Sequence, residues 1–182
     1  FYNDSATVAY SFVRALPVEN TDGPYYGKFF SILGDSISTF NGFIPSGNAY
    51  WYPHGDMQRV TDLWWSKLLD HFHAKLLVDE AWSGSKISGS DSSAGNNSSR
   101  CENLGTVSQD PDVIIVYMGT NDFDYNVPLG TYDGHDSVPS TVSTFSDAYA
   151  VTLDKILTKY KHAEVWCCTL QPMERHGQVG FP

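Results

Sequence analysis

The run Val113-Ile114-Ile115-Val116-Tyr117-Met118, set off by Pro111, constrains the fold more than any other stretch of the chain. β-Branched side chains are stiff and fit a pleated surface, and an apolar run without polar alternation suits a strand covered on both faces. Such strands belong to parallel sheets, whose crossover connections lay helices over the two faces. Phe29-Phe30-Ser31-Ile32-Leu33, Leu76-Leu77-Val78 and Val165-Trp166-Cys167-Cys168-Thr169-Leu170 read as three further strands. Between the first two, Trp65, Leu68, Leu69 and Phe72 recur at i, i+3, i+4 and i+7, one stripe of a helix that Thr61 is placed to cap. Before the last, Phe145, Tyr149, Leu153, Ile156 and Tyr160 mark a longer helix opened by a Thr144-x-x-Asp147 capping box. Strand and helix alternate. That order predicts an α/β fold, a doubly wound three-layer α/β/α sandwich of flavodoxin-like type with a mainly parallel sheet.

With 182 residues, 41% of them hydrophobic, the chain is long enough to bury one core. Residues 1–27 carry no periodicity and read as an N-terminal arm, and residues 28–182 read as a single domain. Residues 83–100 are rich in Ser, Gly and Asn and show no pattern of their own. Asp and Glu number 21 against 11 Lys and Arg, a formal charge of -10. A nucleic-acid partner needs a basic stripe to neutralise phosphates, and the sequence has none. No apolar run approaches the ~20 residues of a membrane span. The three cysteines do not pair by spacing, Cys167 and Cys168 being neighbours that point to opposite faces of a strand, and all three are expected to be free and buried. The six histidines are not clustered at metal-ligand spacing, and no cofactor is expected. The first residue is Phe rather than Met, so a leader segment is expected upstream, and the sequence leaves location and oligomeric state open.

In a doubly wound sheet, ligands bind outside the carboxyl ends of the strands. There the sequence places Gly34-Asp35-Ser36 after the first strand, Trp82-Ser83-Gly84-Ser85 after the second, and Gly119-Thr120-Asn121-Asp122 after the third. Each cluster alone is an ordinary turn. Together they offer a nucleophilic hydroxyl and donors for a developing oxyanion, the parts that ester hydrolysis requires.

In their order and placement these blocks resemble the SGNH hydrolases, also called GDSL-type lipases and esterases, from about Lys28 to the end of the chain. The most specific parts are Ile32-Leu33-Gly34-Asp35-Ser36 and Tyr117-Met118-Gly119-Thr120-Asn121-Asp122. The resemblance implies that Ser36 is the nucleophile. It further implies that Gly84 gives a backbone N–H to the oxyanion hole, that Asn121 gives a side-chain amide, and that the Ser36 N–H is the third donor. A serine at the start of a helical turn would also gain from the positive end of that helix.

One part of the family pattern is missing. A serine hydroxyl needs a base, and relatives supply His with Asp three residues before it, near the C-terminus. The 182 residues contain no Asp-x-x-His: His176 is preceded at that distance by Met173, and His135 follows Asp133 by two. His54, His71 and His73 lie early, and these three with His135 and His176 read as surface or structural residues. Four strands are visible where the family has five, so the missing strand and the loop with Asp and His are expected beyond Pro182. The substrate expected is a small ester, with short acyl groups on a carbohydrate favoured by the aromatic stretch from Gly42 to Pro53. That stretch equally suits packing onto the domain. Lysophospholipase and thioesterase activities, and a noncatalytic glycan- or protein-binding module, are the alternatives. A nucleotide-binding domain is disfavoured, because Leu33-Gly34-Asp35-Ser36-Ile37 is neither a Gly-x-Gly-x-x-Gly nor a P-loop.

Overall fold

The computed structural model describes residues 23–131 and 138–171. Strands β1 (Phe29–Gly34), β2 (Lys75–Asp79), β3 (Val113–Tyr117) and β4 (Glu164–Cys167) form one sheet in the order β2-β1-β3-β4. All neighbouring pairs are parallel. Helices α1 (Trp64–Phe72), α2 (Ser98–Cys101), α3 (Thr120–Asp124) and α4 (Phe145–Lys159) occupy the connections.

Period-two alternation divides the core between the two faces. Phe30 and Ile32 of β1, with Val113 and Ile115 of β3, pack against Leu63, Trp65 and Leu69 on the α1 side. Leu33, Ile114 and Val116 point the other way, onto Ile87, Cys101, Leu104, Ala148 and Ile156. Both faces of β1 and β3 are therefore dry, and each such Ile, Leu or Phe contributes roughly 1.5–3 kcal/mol by burial. Ser31, the one polar residue within this strand pair, is fully buried and donates from Oγ to the Leu104 carbonyl at 2.6 Å.

From β1 the chain moves outward to β2, then crosses back to β3 on the other side of β1. This reversal puts the topological switch point at the carboxyl ends of β1 and β3, the position at which doubly wound proteins bind their ligands. Gly34 pairs with Tyr117 in register, so the segments that follow the two strands leave the sheet side by side.

Four expectations about local structure need correction. Thr61 does not cap α1, because it lies within a separate one-turn 3-10 helix, Val60–Asp62, and the α1 N-cap is Leu63 without a side-chain bond. The fourth strand stops at Cys167 instead of reaching Leu170. The thiols are free, but only Cys101 is buried, since β4 is the outermost strand among the described residues and leaves Cys167 exposed and Cys168 half-covered. Tyr25, within the stretch read as an arm, packs edge-on against Phe30 and Trp166. The capping box of α4 forms as the sequence requires: Thr144 Oγ1 accepts from the Asp147 N–H at 3.2 Å, and Asp147 returns the bond to the Thr144 N–H at 2.9 Å.

Candidate active site

The turn after β1 is built to hold one serine out. A side chain on Gly34 would bring its Cβ within 2.6 Å of the Ser38 Cβ, so only glycine allows the chain to fold back there. Asp35 Oδ1 accepts the Ile37 N–H at 3.0 Å, an Asx-type turn, and the Ser38 N–H closes onto the Asp35 carbonyl at 3.1 Å. From below, the Trp65 indole donates to the Ser38 carbonyl at 2.8 Å. Ser36 stands half-buried at the tip of this turn. Neither its hydroxyl nor its N–H has a hydrogen-bond partner among the described residues. The turn expected to start at Ser36 is present as a single turn over residues 36–38, with the Thr39 N–H donating to the Ser36 carbonyl at 3.3 Å, and it does not continue into a longer helix.

The segment after β2 crosses toward this turn, with Trp82 N–H donating to the Gly34 carbonyl at 3.2 Å. Gly84 adopts φ +79°, a left-handed conformation that side chains disfavour, although a Cβ there would meet nothing within 4 Å. Glycine is thus required by conformation and not by space. Its neighbours Ser83 and Ser85 donate to Ala49 and Trp82, while the Gly84 N–H is unspent among the described residues. The segment after β3 forms α3 where the sequence suggested only a turn. Asn121 Nδ2 donates to the Ser85 carbonyl at 2.7 Å, and the buried Asp122 carboxylate accepts the N–H groups of Ile87 at 2.7 Å and Ser88 at 3.0 Å. These bonds fasten the Gly84 loop to α3. Trp82 and Asn121 thus link the three blocks that carry Ser36, Gly84 and Asn121.

A family model for GDSL-like lipase/acylhydrolase matches residues 28–177, most of the chain. The chain belongs to the GDSL-like lipase/acylhydrolase family. It is similar to a solved Bacteroides ovatus protein described as a GDSL-like lipase, at 31% identity and TM-score 0.65, over 78% of this chain and 72% of that one. A Bacteroides uniformis protein of the same description aligns at 28% identity and TM-score 0.66, over 81% and 73% of the two chains. A Lactobacillus plantarum structure at 21% identity and TM-score 0.53 shares the fold. No curated protein sequence matches the chain. Membership makes this GDSL-like chain a hydrolase of ester type, with the α/β fold that the family carries.

Sequence reasoning passed over Arg100. It is 1% exposed, and its guanidinium donates to the carbonyls of Gly34 (2.6 Å), Ser93 (2.5 Å) and Glu80 and to Ser85 Oγ (3.1 Å). One side chain therefore ties the end of β1 to the segment after β2 and to the Gly84 loop. A signal existed: between Lys86 and Lys155 the sequence has no other Lys or Arg. Burial lowers the Arg100 pKa to about 10, which leaves it charged at neutral pH. The carboxylates around it move the other way. Burial pushes Asp79 well above the usual carboxylate range, Glu80 up to about 7, and Asp35 upward, although Arg100 opposes all three shifts. The Thr120 hydroxyl lies beside Asp35, yet Thr120 Oγ1 and Asp35 Oδ2 are both buried without a partner in bonding geometry.

Four histidines fall among the described residues, and none bonds Ser36. His54 stacks on Trp51 at 4.7 Å, His71 lies against Phe72, His73 ends α1, and His162 precedes β4. His135 and His176 lie outside the described residues. Among the described residues no group of three or more His, Cys, Asp or Glu could hold a metal, and no helix is long and apolar enough to cross a membrane. Within the aromatic stretch, Phe43 touches Phe40 and Trp65 but keeps 45% of its surface exposed, much as Tyr50 and Trp51 do, while Tyr52 is half-buried.

Proposed function

We propose that this GDSL-like protein cleaves carboxylic esters through an acyl-enzyme on Ser36. The observation that carries the reading is that the N–H groups of Ser36 and Gly84 are unspent among the described residues, on segments that Trp82 and Asn121 tie together. Ser36 is half-buried and Gly84 exposed, so neither N–H is committed to the fold and both are open to a ligand oxygen.

In this scheme Ser36 Oγ attacks the ester carbonyl carbon while its proton passes to a general base. The carbonyl oxygen becomes an oxyanion held by the N–H groups of Ser36 and Gly84 and by Asn121 Nδ2, whose second hydrogen remains beside the one given to Ser85. Collapse of the intermediate expels the alcohol, which takes the proton from the base. Water then repeats the sequence on the acyl-serine and releases the acid. The base is a histidine by family resemblance, and of the six in this sequence His176 would be the first to test. Short acyl groups on a carbohydrate or a similar small alcohol are the proposed substrates, since the exposed Tyr50 and Trp51 offer flat faces and the sequence has no long apolar segment to line an acyl tunnel.

The test uses the natural full-length protein. Fluorophosphonate should label Ser36, p-nitrophenyl acetate should turn over faster than the octanoate, and Ser36→Ala should abolish labelling and turnover while the circular dichroism is unchanged. Labelling that persists in Ser36→Ala would overturn the assignment, and preference for octanoate would favour a lipase or lysophospholipase.

A further inference from the structure

A further segment, outside the three blocks that carry Ser36, Gly84 and Asn121, is bonded to two of them. Residues 48–52 form neither helix nor strand beyond an isolated bridge from Tyr52 to Phe40. Their backbone is nevertheless anchored at both ends. Asn48 gives its side-chain NH2 to the Ala81 carbonyl at 3.1 Å, and the Ala49 carbonyl accepts the N–H of Ser83, the residue before Gly84, at 2.8 Å. At the other end the Trp51 N–H donates to Thr39 Oγ1 at 2.8 Å, and the Tyr52 carbonyl accepts the Asn41 N–H at 2.9 Å. Thr39 Oγ1 in turn donates to the Ser36 carbonyl at 2.9 Å. A hydroxyl has one proton and two lone pairs, so Thr39 makes both bonds at once. The strap therefore ties the segment before Gly84 to the carbonyl of Ser36 through a single side chain.

The distances show which restraint on Ser36 matters. Among the described residues its carbonyl has one other donor, the Thr39 N–H at 3.3 Å, longer than the usual N–H···O range of roughly 2.7–3.2 Å. The hydroxyl at 2.9 Å is the closer hold. Thr39 is fully buried, and its β-branched side chain has few χ1 choices, so packing keeps the hydroxyl in place. Full burial also means that Thr39 does not touch substrate. We propose that Thr39 is a positioning residue for Ser36. By fixing the peptide that follows the nucleophile, it keeps the Ser36 hydroxyl and N–H in register with the Gly84 N–H on the far side of the strap. The proposal rests on the esterase reading of Ser36, because that chemistry is what requires the register. A misplacement of about 1 Å can cost ~10²-fold in rate.

The experiment separates positioning from packing, in the natural full-length protein with p-nitrophenyl acetate as substrate. Thr39→Val keeps the shape and removes the hydroxyl. It should lower kcat about tenfold or more, with KM within about twofold, and slow fluorophosphonate labelling in proportion. Thr39→Ser returns the hydroxyl and should bring kcat back to within about threefold of the unsubstituted protein. Circular dichroism and Tm are followed throughout. A merely structural role would lower Tm and leave kcat per folded molecule unchanged. That result, or a Thr39→Ser protein as slow as Thr39→Val, would overturn the proposal. Should Thr39→Val not fold, Asn48→Ala loosens the strap at its half-buried opposite anchor. It should lower kcat about threefold or more with KM little changed, and full kcat there would overturn the proposal equally. Failure of the esterase reading shows earlier, as absent turnover and labelling in the unsubstituted protein, and it would remove the positioning role with it.

Discussion

The two ends of the sheet treat charge in opposite ways. At the amino end, Lys28 pairs with Asp112 at 2.7 Å, and the Tyr25 hydroxyl donates to Glu164 at 3.2 Å, both at exposed positions. At the carboxyl end, Asp35, Asp79, Glu80, Arg100 and Asp122 are all buried, and neither of the two ion pairs among the described residues involves them. Their partners are mostly backbone N–H and carbonyl groups. Burying charge in this way costs stability unless each group is hydrogen-bonded. The amino end simply closes the fold. The carboxyl end accepts that cost to hold three loops in one arrangement.

The sharpest way to break the comparison is Arg100→Met. It leaves the carbonyls of Gly34, Ser93 and Glu80 without their donor, and unpaired buried acceptors cost about 1–3 kcal/mol each. A loss of at least ~3 kcal/mol in urea unfolding is expected. A loss under ~1 kcal/mol would show that water replaces the guanidinium and that the carboxyl end is not clamped.

Asn121→Ala comes next and tests whether the site end is specialised for chemistry. Removal of one oxyanion donor should lower kcat by ~10²–10³ with KM little changed. Asn121 also holds Ser85, so the Tm should be followed in parallel. A large fall in Tm with kcat preserved would make Asn121 a structural residue only.

Much of this architecture was legible beforehand. The continuous run of β3 and the two helix stripes announced a doubly wound sheet, because burial on both faces and on one face write different periods into sequence. The three glycine-containing blocks announced the crevice, because Gly34 and Gly84 occupy positions where a side chain would clash or be strained. Arg100 and Asp122 were less visible. Their partners are mostly backbone groups 7 to 66 residues distant, and such bonds leave no periodicity. The exposed Cys167 was misread for a related reason: β4 has the composition of a buried strand but is the outermost strand among the described residues.

Glu80 supplies a smaller effect, visible in pH dependence. Unfolded, its carboxyl titrates near 4.5, and folded it rises to about 7 through burial, despite Arg100 and Asn48. The folded state therefore holds the proton more tightly. Its contribution to stability is complete below about pH 4.5 and is lost as pH climbs through about 7. Asp79, raised further, acts with the same sign. The Tm should fall between pH 5 and pH 8, and Glu80→Gln should flatten that fall, a gain of about 1–2 kcal/mol at pH 8 after allowing for solvent screening. An unchanged slope in Glu80→Gln would assign the pH dependence to Asp79 and Asp35.

The smallest effect belongs to Lys28→Ala, and the comparison depends on its being small. The pair with Asp112 is short, but 47% of the Lys28 side chain and 30% of the Asp112 side chain remain exposed. Exposed pairs gain little Coulomb energy in water and lose rotamer freedom, so most contribute about 0–1 kcal/mol. Asp112 also keeps a second partner, the Phe29 N–H at 2.8 Å, which survives the substitution and continues to hold the start of β1 against β3. Partial burial tends to raise the Asp112 carboxyl, yet Lys28 and that N–H together hold it below the usual range. The part of this support lost with Lys28 should be screened by salt. A change within ~0.5 kcal/mol at low salt, vanishing near 1 M NaCl, is therefore expected in chemical denaturation. A loss matching that of Arg100→Met would mean that exposed and buried charge weigh equally in this fold, and the contrast between its two ends would fail.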